Sequence, residues 1–237
     1  MNFKKITYSF LIIILMSVLS SCNCIEGEGN IELENREVTG FDRISLGMDA
    51  KVILSQDSIY RLRVDAQQNI LEILETKVSG DELKIGYDMN CVSNARDITI
   101  HLSMPELRGV EVSGSGRVIC ARRFKTTSLD LDVSGSGKIM MEVMATDIKS
   151  DVSGSGNIDV AGKAKTIDID ISGSGGVYAY NLRTTSVKVN INGSGNAKVY
   201  PLSSLFARVS GSGSIYYKGE PEIESKISGS GQVLPKN

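Results

Sequence analysis

A four-residue motif recurs seven times in the second half of this chain, six times as Ser-Gly-Ser-Gly and once as Asn-Gly-Ser-Gly. The first glycines of the copies are Gly114, Gly135, Gly154, Gly173, Gly193, Gly211 and Gly229, spaced 18 to 21 residues apart. A nearly fixed period means one small unit that cannot bury its apolar face alone and must stack on its own copies. A unit this short has no room for a crossover helix, and no segment here follows a 3.6-residue apolar period. Stacked short strands are what remain.

Aligned on the motif, the flanks alternate. One and three residues before it stand Val110/Val112, Leu131/Val133, Ile169/Ile171, Val189/Ile191 and Ala207/Val209, with serine at the inner place in Ser150/Val152 and Ser225/Ile227. Two and four residues after it stand Val118/Cys120, Ile139/Met141, Ile158/Val160, Val177/Ala179, Ala197/Val199 and Ile215/Tyr217. Period-two alternation on both sides makes each unit a strand, a corner, a second strand and a turn. The expected fold is all-β: a right-handed parallel β-helix of about seven coils over residues 105–237. At the corner, glycine supplies positive φ or close backbone approach, and serine is small enough to stack.

Residues 36–104 precede the repeats and read as more strands. Ile59–Ala66, Glu82–Tyr87 and Asp97–Leu102 alternate apolar and polar residues, as half-buried strands do. They are expected to form a β-rich part stacked on the coils. Gln67–Leu74 is the one stretch that could be helical, for about two turns.

The N-terminus reads as an export signal over residues 1–21. Lys4 and Lys5 precede an apolar run, Phe10–Leu15, and then Leu19-Ser20-Ser21-Cys22. That ending resembles a bacterial lipobox, which makes Cys22 the lipidation site and residues 22–35 a tether. A lipid on Cys22 anchors the domain to a membrane without spanning it. In an exported chain, Cys24 and Cys91 are the pair expected to form a disulfide, while Cys120 falls at an inward position.

Composition removes several function classes. The net charge of −2 offers no basic field for nucleic acid. His101 is the sole histidine, which argues against a His-based triad or a multi-histidine metal site. Gly135-Ser136-Gly137-Lys138 lacks the spacing of a phosphate loop. Gly154–Asp159 resembles a calcium-binding β-roll, but those repeat every nine residues and the other copies lack the aspartate. No cofactor and no metal are expected.

Two outward columns carry the remaining chemistry. Two residues before the corner the chain reads Glu111, Asp132, Asp151, Asp170, Asn190, Arg208, Lys226. Stacked carboxylates about 4.8 Å apart repel by about 0.9 kcal/mol in bulk water, which a solvated face tolerates. Three residues after the corner it reads Ile119, Met140, Asp159, Tyr178, Lys198, Tyr216, Leu234, an apolar strip that is either a ligand surface or covered by another part of the coil. The candidate binding face is Glu111, Asp132, Asp151, Asp170, Tyr178 and Tyr216.

The corner repeats, the block Arg36-Glu-Val-Thr-Gly-Phe41-Asp-Arg-Ile44 and the Gly219-Glu-Pro221 turn together resemble the auto-transporter adhesin family with the head GIN domain. The resemblance implies a right-handed β-helix, an exported location in the cell envelope and an adhesin role; it brings no catalytic residues. The leading expectation is a non-enzymatic, lipid-anchored outer-membrane protein that binds a glycan or envelope protein, since coils of even length bring no long loop to wall a cleft. The alternatives are a polysaccharide-active enzyme using Asp132, Asp151 and Asp170, and a structural spacer. An exposed last strand invites edge pairing, so end-to-end homodimerisation is also expected.

Overall fold

The computed structural model describes residues 24–87 and 92–236. The export segment, Cys22 and Cys91 lie outside the described residues. Cys24 is disulfide-bonded. Among the described residues no helix is long and apolar enough to cross a membrane.

The coils stack parallel and in register. On the strands before the corner, Val112, Val133, Val152, Ile171, Ile191, Val209 and Ile227 form one continuous column. The expected parallel β-solenoid is therefore present. Its core is the pair of inward columns on each strand, and every inward residue from Val110 to Val209 before the corner is buried. Removal of this branched aliphatic surface from water is what holds coil to coil. Ser150 is buried in the column between Leu131 and Ile169, and its hydroxyl has no hydrogen-bond partner. Cys120 is half-buried, and burial pushes its thiol up to about 12. At neutral pH it is an uncharged, weakly nucleophilic thiol.

Both glycines of the corner sit where a Cβ would meet the backbone of the neighbouring coil. In the later five copies the first glycine takes positive φ, as at Gly173 (131°) and Gly193 (134°). Gly114 and Gly135 do not, so left-handed backbone is not the common requirement. Close stacking is. A Cβ on Gly135 would lie 2.6 Å from the Gly114 carbonyl oxygen. The carbonyls of Gly135, Gly154, Gly173 and Gly193 also each accept from two amides of the next corner, as when Gly154 O takes Ser174 N (2.9 Å) and Gly175 N (3.0 Å).

The solenoid starts earlier than the motif. Arg43–Leu46 pairs parallel with Gly109–Val112, and Lys51–Gln56 with Arg117–Cys120. Residues 43–56 are thus a coil whose corner is Gly47-Met48-Asp49-Ala50. Glu82–Tyr87 and Thr99–Met104 pair parallel on its other side. Then the pairing turns antiparallel: Leu74–Ser79 lies on Glu82–Tyr87, Arg61–Gln67 on Thr99–Met104, and Ile31–Arg36 on Arg61–Gln67. The helix is a single turn, Gln68–Leu71, instead of two, with Ile70 and Leu71 buried. It stops because Leu74 already enters the edge strand. The Arg36 guanidinium holds this end together by donating to the carbonyls of Leu71 (2.8 Å) and Leu74 (2.5 Å).

Candidate functional site

The acidic column stacks as its spacing implies. Glu111, Asp132, Asp151, Asp170, Asn190, Arg208 and Lys226 are register partners in turn. Its repulsion is relieved locally. Lys149 Nζ sits 2.9 Å from Asp151, and Asn190 Nδ2 donates to Asp170 Oδ1 at 2.9 Å. Burial first, then the neighbouring Asp151 carboxylate, raises the Asp132 pKa, with Lys149 working against them. The surface is open. A depression of about 230 Å³ lies at its lower end, by Asp170, Asn190 and Arg208. Among the described residues no group of acidic, histidine or cysteine side chains is arranged to hold a metal ion.

A raised aspartate pKa fixes the sign of a pH effect. The folded state binds the proton more readily than the unfolded one, so the ionised carboxylate costs stability above the folded pKa. Asp132→Asn should therefore raise the melting temperature at neutral pH. The gain should shrink as the pH falls through the raised pKa towards the ordinary aspartate value of about 3.9. Thermal unfolding of both proteins across that range checks it; a gain independent of pH would contradict the assignment.

The second outward column is the stronger site. Ile119, Met140, Asp159, Tyr178, Lys198, Tyr216 and Leu234 are also register partners. Met140 is 38% and Leu234 36% exposed, and the other five are half-buried. Along this column runs a groove of about 630 Å³ between Ile119 and Lys198. A second hollow of about 340 Å³ continues it to Tyr216 and Lys236, sharing Tyr178, Tyr180 and Lys198.

The groove changes character along its length. One half is apolar, with Ile119, Met140, Met141 and Val160. The other is aromatic and cationic. Lys198 Nζ lies 5.0 Å from the Tyr178 ring centroid, and Lys218 Nζ 4.8 Å from that of Tyr180. These are cation–π distances that fix both partners in place. Between the halves, Lys138 pairs with Asp159 at 2.6 Å.

Of the candidate face read from the sequence, the structure brings Tyr178 and Tyr216 together in the groove. It places Glu111, Asp132, Asp151 and Asp170 in the other column, on the strands before the corner. Tyr180 was not one of those six, although the sequence sets it close beside the second column, two residues on from Tyr178. It sits where the register slips between Tyr178 and Arg183, and an earlier slip inserts one residue against the preceding coil. The signal was available: the Gly173-to-Gly193 spacing is one residue longer than the one before it. An inserted residue re-aims the side chains beside it.

The fold is a parallel β-solenoid whose second outward column lines an aromatic groove. Residues 40–221 match the family described as "Putative auto-transporter adhesin, head GIN domain", and the chain belongs to that family. Its fold is similar to the crystal structure of a putative adhesin from Bacteroides fragilis, at TM-score 0.85 and 24% identity, over 90% of this chain and 100% of that one. It is also similar to a putative lipid binding protein from Parabacteroides distasonis, at TM-score 0.77 and 25% identity, over 91% and 100%. A putative adhesin from Parabacteroides merdae matches at TM-score 0.72 and 21% identity, over 90% and 99%. No functionally curated protein matches the chain.

Proposed function

We propose that this protein is a non-enzymatic binding module of the cell envelope, lipid-anchored at Cys22 in the outer membrane, which takes glycan in the tyrosine–lysine groove. The carrying observation is the groove itself: Tyr178, Tyr180 and Tyr216 line it with Lys198 and Lys236 beside them. Flat rings offer stacking faces for the apolar side of a sugar, and the ammonium groups favour a carboxylated or otherwise anionic saccharide. The family's adhesin description supports binding. So do the even coil lengths, which leave the groove without the walls a hydrolytic site needs to exclude water.

Titration calorimetry with neutral and carboxylated oligosaccharides tests this. Tyr178→Ala should weaken binding about tenfold, or ~1.4 kcal/mol. Lys198→Ala should weaken the carboxylated ligands more than the neutral ones, while Asp151→Asn leaves both unchanged. Affinity untouched by Tyr178→Ala, or cleavage of the oligosaccharide that Asp151→Asn abolishes, would sink the reading. The apolar half of the groove favours a second reading, an acyl-bearing ligand, in keeping with the name of the Parabacteroides distasonis relative. In that case a long-chain fatty acid binds, and Met140→Asp removes it.

A further inference from the structure

The two ends of the solenoid are finished differently. Antiparallel strands and the Gln68–Leu71 turn close the first end. Among the described residues the last coil has no such closure. Glu222–Gly229 pairs with Asn196–Gly211 and with no other strand among the described residues. Ile223 and Ile227 continue the columns of Leu205 and Val209, each 1% exposed, yet are themselves 38% and 44% exposed. A layer of core and a row of backbone donors and acceptors face solvent there.

We propose that a second copy of this chain covers that end. Glu222–Gly229 pairs antiparallel with its own equivalent about a two-fold axis at Ser225. The register follows from the residues. Ile223 and Ile227 must stay on the core side, which forbids a slip by one residue. With Ser225 opposite its own equivalent, Ile223 faces Ile227 of the copy and Glu224 faces Lys226, each pairing made twice by symmetry. A slip to either neighbouring core-facing register sets Glu224 or Lys226 opposite its own equivalent, and like charges directly opposed destabilise a strand pair. The strand is thus self-complementary in one register, as an isologous interface requires.

Ile31–Arg36 lies at the closed end, so the tethers leave such a dimer at its two far ends. With the anchoring proposed above, copies on two apposed surfaces would meet through it. The pairing itself is independent of what the groove binds.

Sedimentation velocity of the purified protein, from low micromolar to near-millimolar concentration, tests the proposal. The expected species is a dimer at the upper end. Glu224→Lys and Lys226→Glu should each raise the dissociation constant about thirtyfold, because both symmetric pairs become repulsive. The double exchange, Glu224→Lys with Lys226→Glu, should restore the dimer. Circular dichroism on each variant separates lost pairing from lost folding. A monomer throughout, a dimer indifferent to the single reversals, or a double exchange that does not recover would overturn it, as would capture of a strand from a different protein by a chain that stays monomeric.

Discussion

Gly175→Ala should destabilise the protein by about 2–4 kcal/mol, while Ser174→Ala next to it should be nearly silent. A Cβ at Gly175 would enter the Gly156 carbonyl oxygen of the coil below, and lie 2.7 Å from Val152 Cγ1. Neither neighbour can retreat. The carbonyl belongs to the stacked corner, and Val152 is 1% exposed in the core column. The methyl group must therefore push the coils apart, which costs hydrogen bonds and packing together. In a protein of this size the loss lowers the melting temperature by roughly 4–16 °C. Ser174 points to solvent, and its backbone amide, not its hydroxyl, makes the corner hydrogen bond. Thermal unfolding of the two variants side by side is the measurement. Equal losses would mean that the serine side chains carry the corner after all.

Phe41→Ala should cost about 3–5 kcal/mol, as large aromatic deletions in a packed core do. The ring is 2% exposed and tilts against Tyr60 at a centroid distance of 4.9 Å. The Tyr60 hydroxyl donates to the Phe41 carbonyl at 2.9 Å. Deleting the ring therefore loosens both the start of the first coil and the loop that leads into the antiparallel closure. A solenoid is close to one-dimensional, so damage at one end need not travel. Hydrogen exchange should speed up in Arg61–Gln67 and Thr99–Met104 while Asn157–Gly173 and Gly176–Gly193 keep their protection. Uniform loss of protection along the chain would show that the closed end and the coils form one cooperative unit.

Much of the fold is legible in the motif spacing. Steric demand at a corner repeats with every coil, so glycine repeats too, and alternation beside it marks which side chains face in. The coil at residues 43–56 escapes this reading because Gly47-Met48-Asp49-Ala50 turns the same corner with one glycine. Its neighbours explain the tolerance: a Cβ at Gly114 would lie 3.2 Å from Gly47 C and Met48 N, a tight contact but less close than the one each later first glycine makes with the corner below. The helix was expected to be longer because Gln67–Leu74 has the composition for it, whereas the strand pairing of Leu74–Ser79 claims its second turn.

For the site, the sequence named two outward columns but could not rank them. Both stack in register. They differ in what lies beside them: in the acidic column Lys149 pairs with Asp151 and Asn190 donates to Asp170, while inserted residues set Tyr180 beside Tyr178 in the groove of the other. Insertions change which side chains converge without changing the alternation that reveals them.

The sequence alone determined the period, the corner and the inward and outward faces, because each follows from backbone geometry within one coil. Only the tertiary structure decided which outward column is a groove, how the first end is closed and which strand lacks a second partner among the described residues. Those depend on what stacks above and beside a residue, and stacking joins positions about twenty residues apart or more.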